Sequence, residues 1–147
     1  MPQVLSLLST ELSIREKVNV IEQGLRLIPE QCIEIIPVHY FSPGICAREI
    51  TIPAGATVVG KIHKYAQLNI LSKGDISVLT EDGIRRVQAP FTVVSPPGTK
   101  RIAYAHTECV WTTILATEET DVDKIEAYFV VDTEAEYLEF CEVKCLS

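Results

Sequence analysis

Apolar residues near the start of the chain recur at helical intervals: Leu8, Leu12, Val18, Ile21, Leu25 and Ile28. Ser13-Ile14-Arg15-Glu16 fits a capping box, which predicts a helix starting at Ile14, with Pro29 just past its end. With a shorter helical turn or two before it, residues 1–32 read as a helical arm. From Ile33 the period changes to short runs rich in Val, Ile and Thr, broken by Pro and Gly. Nine such runs are expected before Thr117, among them Ile33–Tyr40 and an unbroken Thr57–His63. Glu81-Asp82-Gly83 marks a hairpin, because Asp-Gly suits positive φ. Turns about ten residues apart point to a barrel or sandwich. No helix-length segment interrupts residues 33–116, which excludes a parallel α/β sheet.

Beyond Thr117 the helical period returns. Asp121–Phe129 and Thr133–Cys141 are expected helices, and Thr133-Glu134-Ala135-Glu136 is a second capping box. Residues 117–147 therefore form a third segment, whose Tyr128, Phe129, Tyr137, Leu138 and Phe140 could cover a barrel end or a neighbouring subunit.

The 147 residues are 47% hydrophobic and 22% charged, ordinary for a globular domain. A net charge of −7 argues against nonspecific duplex binding, which depends on neutralising phosphates, and no nucleic acid is expected as a partner. No apolar run reaches the ~18 residues of a membrane span, so no membrane association is expected. Without a basic-then-apolar leader, a cytoplasmic setting is the expectation. The charge is unevenly placed. Residues 118–147 carry ten acidic and two basic side chains, whereas residues 1–117 carry ten acids and eleven bases. This acidic tail is a natural mate for a basic surface on its own or a neighbouring barrel.

The five cysteines (Cys32, Cys46, Cys109, Cys141 and Cys145) are odd in number and scattered, and lack the His or Cys pairs of a zinc site. They read as thiols in a reducing setting. His39 reads as surface or core-edge, and His106 as structural and facing away from any barrel cavity. Trp111 reads as core or interface.

Two spaced patterns carry a resemblance. Gly55 is followed after five residues by Lys61-Ile62-His63, after three more by Gln67, and after six by Gly74. Pro90 leads after five residues to Pro96-Pro97-Gly98, then Arg101 and Ala105. The spacing resembles the two signature motifs of the cupin superfamily over roughly residues 33–116. The resemblance implies a mainly β fold, a cupin-type antiparallel β-barrel (double-stranded jelly roll), with the N-terminal helical arm and C-terminal helices added. It also implies that Lys61, His63, Gln67 and Arg101 occupy the positions that bind a divalent metal in cupins. The run from Lys61 to Thr113 is further similar to small cupin-like proteins of tailed phages. That likeness implies a phage origin, with the protein acting in the infected cell's cytoplasm or travelling with the virion.

The chemistry at those four positions is altered. His63 is the one good metal ligand. Gln67 is a weak oxygen donor, Arg101 offers donors only, and Lys61 must lose its proton to coordinate. Each cation would repel a neighbouring unit positive charge by about 4 kcal/mol at roughly 4 Å and an effective dielectric near 20. No metal and no cofactor are therefore expected. The quartet instead suggests one cavity that holds a small carboxylate or phosphate, with Arg101 as the fork and His63 protonated. A competing expectation is a vestigial site whose Lys61 and Arg101 pair with Glu49 or Glu34. The leading functional expectation is a non-enzymatic protein acting by self-assembly (a dimer or higher homo-oligomer) or by binding a phage or host protein, with a small anionic ligand in the barrel. The alternative is a metal-independent isomerase or lyase using His63 as acid or base. A metal-dependent cupin enzyme ranks below both.

Overall fold

The computed structural model describes residues 13–26, 33–80 and 83–146. Helix α1 (Ile14–Arg26) starts where the capping box placed it. The Ser13 amide donates to Glu16 Oε2 at 2.8 Å, and the Glu16 amide donates back to Ser13 Oγ at 3.2 Å. The turns expected before Ser13, Pro29, Cys32 and the Glu81-Asp82 half of the hairpin lie outside the described residues.

The strands are β1 (Val38–Ser42), β2 (Ile45–Ile52), β3 (Thr57–Val59), β4 (Ile62–His63), β5 (Gln67–Lys73), β6 (Asp75–Thr80), β7 (Gly83–Gln88), β8 (Phe91–Ser95), β9 (Ile102–Ala105) and β10 (Cys109–Ala116). They form one sheet in the order β1-β2-β10-β5-β8 and a second in the order β3-β9-β6-β7. Every pairing is antiparallel. Apart from the hairpins β1-β2 and β6-β7, which each stay within one sheet, the chain passes back and forth between the two sheets, so β2, β10, β5 and β8 oppose β3, β9, β6 and β7. This is jelly-roll connectivity. The expected mainly β, antiparallel jelly roll with added helices is the fold observed, and among the described residues its two sheets share no strand.

Alternation along the strands builds the space between the sheets. Ile52, Leu71 and Cys109 from the first sheet meet Ile76, Val78 and Ala105 from the second in one buried cluster. Outside the second sheet, Val18 and Ile21 of α1 pack on Leu79 and Ile102, with Val59 alongside. The arm is thus a cover for one sheet. Lys100, only 8% exposed, ties α1 down through Asn19 at 3.0 Å and Glu22 at 3.2 Å.

Two expected strands differ. The first begins at Val38 rather than Ile33, since Pro37 has no N–H for a ladder. The Thr57–His63 run splits at Gly60-Lys61. The Gly60 amide donates to the Arg101 carbonyl at 2.9 Å, after which β4 leaves the second sheet and pairs with β11 (Val130–Val131). Strand β11 lies between α2 (Val122–Phe129) and α3 (Glu134–Leu146). Asp121 caps α2 by accepting from the Asp123 amide at 3.0 Å, and Thr133 caps α3 by accepting from the Glu136 amide at 3.2 Å.

The acidic tail packs on its own chain. Ile125 and Phe129 close over Cys46 and Leu115, while Tyr65 stacks on Tyr128 and meets Phe129 and Phe140 edge-on. Gly98 (φ +83°) is the contact point of α3 on the second motif: a Cβ there would lie 2.6 Å from the Tyr137 hydroxyl. Among the described residues no helix is long and apolar enough to cross a membrane.

Candidate functional site

Polar side chains gather at one end of the space between the sheets, above the apolar cluster. The register sets Arg48 of β2 opposite Thr113 of β10, Thr113 opposite Asn69 of β5, and Gln67 opposite Ser95 of β8. Asn69, 1% exposed, is the hub. Its Oδ1 accepts from Thr113 Oγ1 at 2.9 Å and Trp111 Nε1 at 3.3 Å, and its Nδ2 donates to Ser95 Oγ at 2.8 Å. Ser95 Oγ also accepts a short bond from Arg101 Nη2, and the Arg101 guanidinium lies 5.2 Å from the Trp111 ring centroid. Arg101 is therefore held by a chain of buried groups from the opposite sheet.

Two cavities flank this belt. The first, about 670 Å³, lies between Trp111, Phe91, Val78 and Val87 and the Pro96–Arg101 loop. Among the described residues its charged lining side chains are Arg15, Arg85, Lys100 and Arg101, with no carboxylate. Arg15 is held by Glu134 and the Gly98 carbonyl, and Lys100 by Asn19 and Glu22. Arg85 lies 5.2 Å from the Phe91 ring centroid. Neither Arg85 nor Arg101 has a carboxylate partner among the described residues. The second cavity, about 470 Å³, contains Arg48, His63 and Thr113, with Lys61 and Glu126 at its edge.

The single-cavity expectation is thereby corrected. Lys61 and His63 line the second cavity, Arg101 lines the first, and Gln67, 7% exposed, lines neither. Gln67 Oε1 is buried and has no hydrogen-bond partner among the described residues. Lys61 does not pair with Glu49 or Glu34. Because it sits at the break before β4, its ammonium reaches Glu126 at 2.5 Å and Asp132 at 3.3 Å in the tail. A protonated His63 is also corrected: burial first, then Arg48 and Arg101, hold its pKa at about 4, so the imidazole is neutral at neutral pH. Burial likewise lowers the pKa of both guanidinium groups, with Glu126 partly opposing the shift at Arg48.

Arg48 is the main residue that motif spacing missed. The signal was present in strand alternation, since Cys46, Arg48, Ile50 and Ile52 share a face and a lone Arg among inward apolar residues is unusual. The same parity places Asn69 between Gln67 and Leu71. His39 lines the edge of the second cavity and stacks on Phe41. His106 lies 2.6 Å from Ser77 Oγ and lines neither cavity.

The donor set does not fit the divalent metal of the cupin pattern. His63 is the one imidazole among the four positions, the charges of Arg48 and Arg101 act on it and disfavour a further cation, and the described residues contain no cluster of three His, Cys, Asp or Glu suited to an ion.

No family model and no curated protein matches this chain. Similar solved structures include a cupin superfamily protein from Desulfitobacterium hafniense, at 9% identity and TM-score 0.49, covering 58% of this chain and 79% of the other. A cupin-2 domain containing protein from Shewanella frigidimarina is similar at 15% identity and TM-score 0.47, covering 66% and 92%. An acetylacetone dioxygenase from Acinetobacter johnsonii is similar at 19% identity and TM-score 0.47, covering 56% and 59%.

Proposed function

We propose that this chain binds a small organic anion, a carboxylate or phosphate on an apolar or aromatic body, in the cavity above Trp111, and does not transform it. One observation carries the reading: among the described residues every charged side chain lining that cavity is a cation, and Arg101 is there without a carboxylate partner. A desolvated guanidinium without a counter-charge is costly, and an incoming anion supplies two parallel N–H···O bonds to the Arg101 fork. Phe91, Val78, Val87 and the Trp111 edge supply the surface for the ligand body. A volume of about 670 Å³ lies within the roughly 300–1,000 Å³ of small-molecule sites.

His63 is poorly suited to the enzymatic alternative. A general acid or base works best with a pKa near the operating pH, and burial with the charges of Arg48 and Arg101 holds the pKa of this imidazole at about 4, leaving it unprotonated and weakly basic. Self-association belongs to the same proposal. Edge strand β1 carries exposed Val38, Tyr40 and Phe41 and no charged side chain, which favours antiparallel pairing with a second copy about a two-fold axis. The phage setting rests on the sequence likeness alone.

Titration calorimetry with phenyl phosphate and benzoate, read alongside Trp111 fluorescence, tests the anion site. Arg101→Gln is expected to weaken binding at least tenfold, with the probe recovered unchanged after incubation. If neither probe binds, or if Arg101→Gln binds as well as wild type, the reading is wrong. Light scattering that finds only monomer at high protein concentration removes the self-association.

A further inference from the structure

The second cavity is chemically unlike the first. Its charged lining residues are balanced: Arg48 and Lys61 against Glu22 and Glu126, with His39 and His63 beside them. Both carboxylates are engaged elsewhere, Glu22 with Lys100 at 3.2 Å and Glu126 with Lys61 at 2.5 Å. Arg48 is half-buried and faces inward. Among the described residues it makes no hydrogen bond and no ion pair. Thr113 Oγ1 and the His63 ring lie in the same cavity as polar neighbours. The remaining wall is aliphatic and aromatic: Ile35, Ile50, Val58, Leu115, Ile125 and Phe129. One unpaired fork at one place and an apolar wall elsewhere describe a site for one negative charge on a hydrocarbon body.

We infer that this cavity is a second binding site, distinct from the Arg101 cavity, which takes an apolar monocarboxylate with its carboxylate on Arg48 and its tail beneath α2. The charge count distinguishes it from the first site. One free guanidinium beside two acids favours a monoanion and disfavours a phosphate dianion, which Glu22 and Glu126 would repel. A volume of about 470 Å³ admits a small ligand of this kind. The titratable and charged groups that line the cavity with Arg48 and His63 are Glu126 from α2, His39 from β1, Glu22 from α1 and Lys61, and Arg101 acts on His63 electrostatically from the neighbouring cavity. The neutral His63 imidazole offers the carboxylate one N–H without adding a second charge. Helix α2 closes over the tail through Ile125 and Phe129, so the acidic segment forms part of the binding wall.

The test uses octanoate and the full chain, with octanol and inorganic phosphate as controls. Calorimetry is run in the Arg101→Gln background, which silences the first site; octanoate is expected to bind there, and adding Arg48→Gln is expected to cost tenfold or more. Octanol and phosphate are expected to bind at least tenfold more weakly. Since Arg48→Gln could disturb folding, the Arg48 Nε–Hε resonance of the Arg101→Gln chain is followed by NMR during the same titration, and it is expected to shift. The inference is overturned if octanoate does not bind in the Arg101→Gln background, if octanol binds equally well, or if adding Arg48→Gln leaves binding unchanged. Phenyl phosphate binding at Arg101 is scored separately, so failure at one cavity is distinguishable from failure at the other.

Discussion

Replacing Asn69 by Leu removes the hub of the buried network while keeping a side chain of similar size. Three hydrogen bonds are lost: those from Thr113 Oγ1 and Trp111 Nε1, and the one to Ser95 Oγ. At about 1 kcal/mol net per bond the loss is about 3 kcal/mol. Thr113 and Ser95 are 6% and 0% exposed, so water does not readily replace the partner. Greater apolar burial by Leu returns roughly 1 kcal/mol, leaving a destabilisation of about 2 kcal/mol. For a chain of 147 residues this lowers Tm by about 4–8 °C. Urea unfolding followed by far-UV circular dichroism measures the change directly. Thr113→Val removes one donor and leaves Trp111 on the Asn69 oxygen, so it is expected to cost about 1 kcal/mol. The double variant is expected to show at least 0.5 kcal/mol of coupling, because the two residues share a bond. Since Ser95 also holds Arg101, Asn69→Leu is further expected to weaken phenyl phosphate binding. A stability change below 0.5 kcal/mol for Asn69→Leu would refute the view that this network holds the sheets together at the site.

His63 and two glycines yield further expectations. The folded-state pKa of His63 is about 4, below its ordinary 6.5, so the unfolded chain binds the proton first as pH falls. Its contribution is fully present above pH 6.5 and is lost between pH 6.5 and 4, by at most about 3 kcal/mol. His63→Gln is expected to flatten the pH dependence of the urea midpoint in that window, and an identical slope in wild type and variant would count against the assignment. Gly74 (φ +100°) turns β5 into β6 where an added Cβ would stand 2.4 Å from the Glu108 carbonyl oxygen. Gly74→Ala should therefore combine backbone strain with a collision and cost more than about 3 kcal/mol. Gly83 (φ +104°) has open space around the same position, so Gly83→Ala should cost only about 1–2 kcal/mol of strain. Equal midpoints for the two variants would contradict the packing around Gly74.

Local rules were sufficient wherever a short segment held its own instructions. Ser13 with Glu16 and Thr133 with Glu136 marked helix starts that the structure reproduces, because a cap is a bond between residues three apart. Turn residues and β-branched runs located most strands. They failed at Ile33–Pro37 and at Gly60-Lys61, where the outcome depended on which partner strand was available. Strand β4 pairs with β11, about seventy residues later, and no local pattern announces that choice.

The candidate site divides in the same way. Motif spacing by itself located Lys61, His63, Gln67 and Arg101, and their side-chain chemistry raised the expectation of an anion in place of a metal ion. Alternation also held the inward direction of Arg48. Parity along a strand states which face a side chain takes, but not which residues it meets across the sheets. Only the tertiary structure separated Arg101 from His63 into two cavities and drew Lys61 to Glu126 and Asp132. Only docking of the arm and the acidic tail paired their carboxylates with other cations and left Arg101 and Arg48 without a carboxylate partner among the described residues. Charge pairing depends on distances of a few ångströms between elements far apart in sequence, and packing sets those distances.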